Sequence, residues 1–148
     1  MIDPDLLEAY GATEFVIEGP RGDIMLRVGE HSRELDDLLA SHGAEQCAFI
    51  TAWNPGSRRL SAEENGERHH ELVRTAEERQ YPSLPGRGEA RSRDWPLERS
   101  LLIIGIPEHE ALQLGRRYGQ LAIVFATLSK PVELVLCNSA NVVDIPSG

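Results

Sequence analysis

The chain has 148 residues, enough for one domain with a single core, and 41% of them are hydrophobic. Its 24 acidic and 15 basic residues leave a net charge of −9, and no cluster of positive charge is long enough to follow a phosphate backbone, so we expect no nucleic-acid partner. The apolar runs are too short to cross a bilayer and residues 1–5 lack a signal-peptide pattern, so we expect a cytoplasmic protein without a membrane partner.

The first elements in chain order are a short helix and a hairpin. Asp3 before Pro4 is typical of a helix start, and this helix is predicted to run through Tyr10. Residues 13–17 and 24–28 are predicted to form two strands, joined by a glycine-rich turn.

The middle of the chain is predicted to be a helix, a strand, a turn and a second helix. Ser32 can cap the first helix, whose apolar side chains recur at helical spacing and which ends at Gly43. Residues 47–52 form an apolar strand that Asn54-Pro55-Gly56 interrupts. Ser61 and Glu64 have the spacing of a capping box and begin a surface helix that continues to about Arg79.

The last third of the chain begins with a segment in which no periodicity survives. Residues 81–99 contain several prolines and glycines and are predicted to form a long loop. A strand is predicted at residues 101–106 and a helix at residues 107–119. A closing hairpin follows, with strands at residues 121–128 and 132–137.

This order of elements predicts an α+β fold of mixed α and β character. We expect a single mixed sheet with antiparallel hairpins at both ends, central strands that run parallel where helices link them, and helices packed on the sheet. One globular domain is predicted over residues 1–137, followed by a loose C-terminal tail at residues 138–148.

The cysteines and histidines carry no recognisable cofactor or metal chemistry. Cys47 and Cys137 both lie in predicted buried strands and are interpreted as reduced core residues. His69-His70-Glu71 has metal-ligating residue types, but adjacent helical residues point in different directions. We therefore expect no metal and no cofactor.

A candidate binding site lies where the strand of residues 47–52 ends. Helix starts after strands offer unpaired N–H groups to anions, and arginine can bind a carboxylate or phosphate with two hydrogen bonds. Glu98 before the next apolar strand is a candidate base or arginine partner, and Gln120 follows a helix end. The candidate ligand-binding residues are Thr51, Asn54, Arg58, Arg59, Asn65, Glu98 and Gln120.

Four short motifs together resemble an uncharacterised bacterial family, domain of unknown function 3293. They are Thr51-Ala-Trp-Asn-Pro, Leu-Ser-x-x-Glu-Asn at residues 60–65, Trp-Pro-x-Glu-x-Ser at residues 95–100, and residues 115–124. The resemblance implies a small bacterial domain with recurrent polar positions at Thr51, Asn54, Asn65, Glu98 and Gln120. A polar residue often stands in the family where this chain has Leu121, and the family implies no activity.

Two classes of function remain open, and the sequence does not decide whether the protein is an enzyme. The first is a non-catalytic binding or regulatory module for a small anionic ligand or a peptide. The alternative is a small enzyme acting on a phosphorylated or carboxylated metabolite, with Glu98 as acid/base and Asn54 and Arg58 orienting the substrate. A protein partner or self-association would show as exposed apolar surface.

Overall fold

The computed structural model describes residues 11–90 and 97–143. Within these residues the chain forms eight strands, three α-helices and one turn of 3₁₀-helix at Pro55–Ser57. In chain order the elements are β1 (Thr13–Gly19), β2 (Gly22–Leu26), α1 (Arg33–Ser41), β3 (Gln46–Ile50), α2 (Ala62–Glu78), β4 (Ser83–Ala90), β5 (Glu98–Ile104), α3 (Glu108–Arg117), β6 (Ala122–Thr127), β7 (Glu133–Leu136) and β8 (Val142–Val143).

The eight strands form one sheet in the order β2-β1-β4-β5-β3-β6-β7-β8. The α+β class, the single sheet and the hairpins at its two ends are confirmed. The expected parallel pairing of the central strands is wrong, because every pair of strands in the described sheet is antiparallel. An additional strand, β4, reverses the chain once more between β3 and β5, so these two neighbours run in opposite directions.

Strand β4 lies in the segment that the sequence predicts as a long loop, and that prediction is wrong over residues 83–90. Glycine and proline are rare inside strands, which hides the element from pattern analysis. Gly86 is required by packing: a Cβ atom there would lie 2.5 Å from Cε2 of Phe49 and 2.7 Å from the Val16 carbonyl oxygen. Pro85 lies beyond the end of the β1 pairing, which stops at Gly86.

The sheet buries a hydrophobic cluster on each face because successive strand residues point to opposite sides. On one face Leu35 and Leu39 of α1 pack with Phe49 and its neighbours. On the other face α2 and α3 contribute Leu72 and Leu112. The helices therefore lie on both sides of the sheet.

The two cysteines belong to opposite faces of the sheet. Cys47 packs in the cluster under α1 and Cys137 in the cluster under α2 and α3, and both are free thiols. Burial raises the pKa of Cys47 to about 12 and that of Cys137 to about 11. The prediction of reduced core cysteines is confirmed, and the raised pKa values make both thiols weak nucleophiles.

The predicted helix starts agree closely with the structure. Ser32 caps α1 by accepting a hydrogen bond from the Leu35 N–H at 3.1 Å. Ser61 and Glu64 form the predicted capping box at the start of α2. Both signals are local, so they act before any tertiary contact is made.

The chain ends differ from the sequence prediction or lie outside the described residues. The helix predicted up to Tyr10 and the tail residues 144–148 are outside them. The sheet continues past Cys137, where a loose tail is expected, because β8 pairs with β7. None of the helices in residues 11–90 and 97–143 has the length and apolar character needed to cross a membrane.

The contact between Phe49 and Gly86 generates a stability prediction. Gly86→Ala places a methyl group against the Phe49 ring and a fixed carbonyl, so we expect the free energy of unfolding to fall by about 1–3 kcal/mol. Gly88→Ala is the matched control, since its nearest side-chain atom would lie 3.7 Å away. Urea unfolding of the two variants measures the difference, and equal stabilities would contradict this account of β4.

Candidate functional site

Two buried asparagines form the centre of the predicted site. The Asn54 N–H donates to Oδ1 of Asn65, and Nδ2 of Asn65 donates back to Oδ1 of Asn54, both at 2.9 Å. Asn54 has left-handed backbone angles, φ 46° and ψ 66°, which asparagine tolerates better than most residues. The side chains are 4% and 3% exposed, so this reciprocal pair is shielded from water.

The asparagine pair joins the end of β3 to α2 and to β5. Oδ1 of Asn54 also accepts from the Leu60 N–H at 2.9 Å, just before the capping box. Its Nδ2 donates to Oε2 of Glu98 at 2.8 Å, at the first residue of β5. Glu98 is thus held in a defined orientation by a residue 44 positions away in the sequence.

Three further contacts attach the end of α3 to the same segment. Nε2 of Gln120 donates to the Trp53 carbonyl at 2.9 Å, and the Gly56 N–H donates to the Gly119 carbonyl at 2.8 Å. Arg68 on α2 donates from Nε to the Ala52 carbonyl at 2.7 Å and from its guanidinium to the Tyr118 carbonyl. We refer to residues 51–61 with Asn65, Arg68, Glu98 and Gln120 as the Asn54 corner.

The structure brings most of the predicted site residues together. Thr51 also belongs here, since its hydroxyl donates to the Arg99 carbonyl at 2.7 Å and accepts from the Trp53 N–H at 3.1 Å. Arg58 and Arg59 lie on the exposed connection between the 3₁₀ turn and α2. Thr51, Asn54, Asn65, Glu98 and Gln120 therefore form the framework of the corner, while the two arginines lie at its surface.

Arg68 is the framework residue that sequence reasoning missed. It follows Asn65 by three positions in α2, a spacing that places both on the same helix face. The three-residue spacing from Asn65 is the sequence signal that could have identified Arg68 as a member of the corner. Its partners are backbone carbonyls in two other elements, and no sequence pattern reveals them.

Two buried ring nitrogens, one in the corner and one on α2 at the residue after Arg68, have no hydrogen-bond partner within the part of the chain that the structure describes. They are Nε1 of Trp53 and Nδ1 of His69. Burial lowers the pKa of His69, and the positive charges of Arg99 and His70 lower it further. Both causes favour the neutral form of the ring, and the second shows that the Arg99 charge acts on it.

Metal ligation is not a feature of the described corner. Among residues 11–90 and 97–143 there is no group of three or more His, Cys, Asp or Glu side chains placed to hold a metal ion. The chemistry available at the corner is hydrogen bonding and charge, supplied by amides, one carboxylate, arginines and the two ring nitrogens.

A comparison with known families matches residues 50–123 to the family described as Protein of unknown function (DUF3293). The match covers half of the 148 residues and includes the corner from Thr51 to Gln120. The chain belongs to this family. Neither the comparison with curated proteins nor that with solved structures finds a match. DUF3293 membership therefore agrees with the resemblance seen in the sequence and assigns no role to any residue.

The Asn54 contacts predict a large loss of stability when the side chain is removed. Asn54→Ala leaves the Leu60 N–H without its acceptor, takes from the Asn65 amide the closer of its two acceptors and forces alanine into the left-handed region, so we expect a loss of about 2–5 kcal/mol. Asn54→Gly removes the same hydrogen bonds without the backbone strain and should be about 1 kcal/mol more stable than the alanine variant.

Chemical denaturation of the two Asn54 variants measures the cost of the lost hydrogen bonds and the cost of the left-handed backbone separately. Equal stabilities would show that the left-handed backbone carries no cost, and wild-type stability in either variant would contradict the role assigned to the amide network.

Proposed function

We propose that this DUF3293 protein is a non-catalytic binding module that holds a small anionic ligand at the surface of the Asn54 corner. The observations that carry the proposal are the buried ring nitrogens of Trp53 and of His69, neither of which has a hydrogen-bond partner among the described residues. A buried donor without an acceptor costs about 1–3 kcal/mol, and the indole N–H can only donate. An acceptor-rich ligand such as a phosphate or carboxylate would satisfy it.

The charge distribution supports an anion rather than a cation. Burial is the main cause of the lowered pKa of His69, and the positive charge of Arg99, which lowers it further, acts at this ring. Arg58 and Arg59 add two exposed guanidinium groups on the neighbouring connection. Planar guanidinium groups bind phosphate and carboxylate oxygens in pairs, which suits recognition of a small anion.

The framework amides support binding indirectly. Asn54 and Asn65 use most of their hydrogen-bonding capacity on each other, Leu60 and Glu98, so they are positioning residues in this proposal. A rigid framework lowers the entropy lost when a ligand orders the surrounding side chains. The residues proposed to contact the anion are Trp53, His69 and the surface arginines.

Intrinsic tryptophan fluorescence tests the proposal directly. The chain has two tryptophans, so Trp95→Phe leaves Trp53 as the sole indole reporter. We expect inorganic phosphate, nucleotides, sugar phosphates or di- and tricarboxylates, titrated at constant ionic strength, to give a saturable change in Trp53 emission and a higher melting temperature. Arg99→Gln should weaken the affinity by about tenfold, because a positive charge that acts at His69 is lost.

The control for this titration is Arg74→Gln, which removes an exposed arginine from the same helix as His69. It changes the net charge by the same amount and should leave the affinity unchanged. Absence of a saturable response to all four ligand classes, or equal weakening by both substitutions, would count against a specific anion site.

One observation favours the enzyme as a second candidate. The Glu98 carboxylate accepts a 2.8 Å hydrogen bond from the buried Asn54 amide, which holds it in one orientation, as an acid/base requires. If a phosphorylated or carboxylated compound that binds is also turned over, Glu98→Gln should lower kcat by about 10²–10⁴-fold while the melting temperature changes little. Full turnover by this variant would exclude Glu98 as the acid/base.

The free thiols support a proposed cytoplasmic location. Cys47 and Cys137 are buried on opposite faces of the sheet and are unpaired, which suits a reducing compartment.

A further inference from the structure

Strand β2 forms one edge of the sheet, and within the described residues its strand partner is β1. An edge strand presents unpaired N–H and C=O groups that can pair with another strand. Met25, the fourth of the five residues of β2, is 53% exposed, an unusual exposure for a large apolar side chain in a strand. The edge therefore combines unpaired backbone with an apolar centre.

The sequence around Met25 is self-complementary in charge. Asp23 lies two positions before Met25, and Arg27 lies two positions after it, one residue beyond the end of β2. Extended backbone that continues through Arg27 places all three side chains on one face. When two copies pair in antiparallel orientation about Met25, Asp23 of each copy lies opposite Arg27 of the other, and the two Met25 side chains meet. Parallel pairing in register would instead place Asp23 against Asp23.

Arg27 and Asp23 each form an ion pair within their own chain. Arg27 binds Glu14 of β1 at 2.7 Å, and Asp23 accepts from Arg87 of β4 at 3.1 Å. The side chains of Arg27 and Asp23 remain 38% and 52% exposed, so both can also contact a second copy. Antiparallel pairing then places Arg27, bound to Glu14 of its own chain, against Asp23 of the second copy, which lies opposite Glu18 on β1 and accepts from Arg87 of β4.

We propose that β2 is a homodimerisation edge, and that its occupant is β2 of a second copy paired in antiparallel register about Met25. This pairing joins the two eight-stranded sheets into one continuous sheet, with an Asp23–Arg27 pair on each side of an apolar centre. The opposite edge strand, β8, has only two residues and offers a much shorter pairing surface. A single five-residue strand falls below the area of most stable interfaces, so we expect association at roughly micromolar concentrations or weaker.

Sedimentation velocity over a wide range of protein concentration tests the proposal, with two charge-reversed variants. Asp23→Arg alone places arginine against Arg27 of the second copy in both pairs, and Arg27→Asp alone places aspartate against Asp23. We expect each variant by itself to associate at least about tenfold more weakly than the wild type. An equimolar mixture of the two variants restores opposite charges in both pairs and should regain dimerisation.

A second pair of variants keeps the test valid if charge reversal weakens folding. Met25→Lys places two lysines together at the symmetry axis and should abolish association. Val142→Lys is the matched control, because Val142 on β8 is 56% exposed and lies at the opposite edge. Circular dichroism and melting curves confirm that each variant is folded.

Three results would overturn the proposal: a wild-type protein that stays monomeric at every concentration, dimers that persist in Met25→Lys, or loss of association in Val142→Lys. The inference does not rest on the anion site, because no residue of β2 belongs to the Asn54 corner.

Discussion

The reciprocal hydrogen bonds between Asn54 and Asn65 are the constraint on which the arrangement of the functional corner depends. At the end of β3 the backbone enters the left-handed region, and the same asparagine that tolerates this turn binds α2, the Leu60 N–H and Glu98. A buried amide network of this kind is stable only when its members are satisfied. The centre of the corner is therefore fully hydrogen-bonded, and the proposed ligand contacts combine two buried ring nitrogens with arginines at the surface.

The second constraint is the close packing of Phe49 on Gly86. It lets β4 enter the middle of the sheet, between β1 and β5, although β4 has a composition typical of loops. The insertion of β4 reverses the chain direction before β5, so Glu98 begins a strand next to β3 and comes within hydrogen-bonding distance of Asn54. A glycine in one strand thus contributes to the geometry of the candidate site.

Charged side chains on the sheet lie between the proposed anion site and the proposed dimer edge. Arg99 of β5, whose charge depresses the pKa of His69, also lies 3.7 Å from Glu18 of β1, which is opposite Asp23 in β2. Charged side chains therefore extend from the Asn54 corner toward the β2 edge. A polar sheet face of this kind favours contacts of matched charge over apolar association, which agrees with an anionic ligand at one end and a weak, charge-selected dimer at the other.

The amino-acid sequence by itself determined the features that depend on neighbouring residues: the cap at Ser32, the capping box at Ser61, the end hairpins and the turn at Asn54. It also indicated five of the residues that the corner brings together, because polar side chains at element ends are visible in one sequence. Only the tertiary structure decided that β4 is a strand, that the sheet is antiparallel, and that Arg68 binds two distant carbonyls. The physical reason is the separation of the interacting residues along the chain. The hydrogen bonds of caps and turns form between residues a few positions apart, whereas strand order and the contact of Asn54 with Glu98 depend on which distant surfaces pack together.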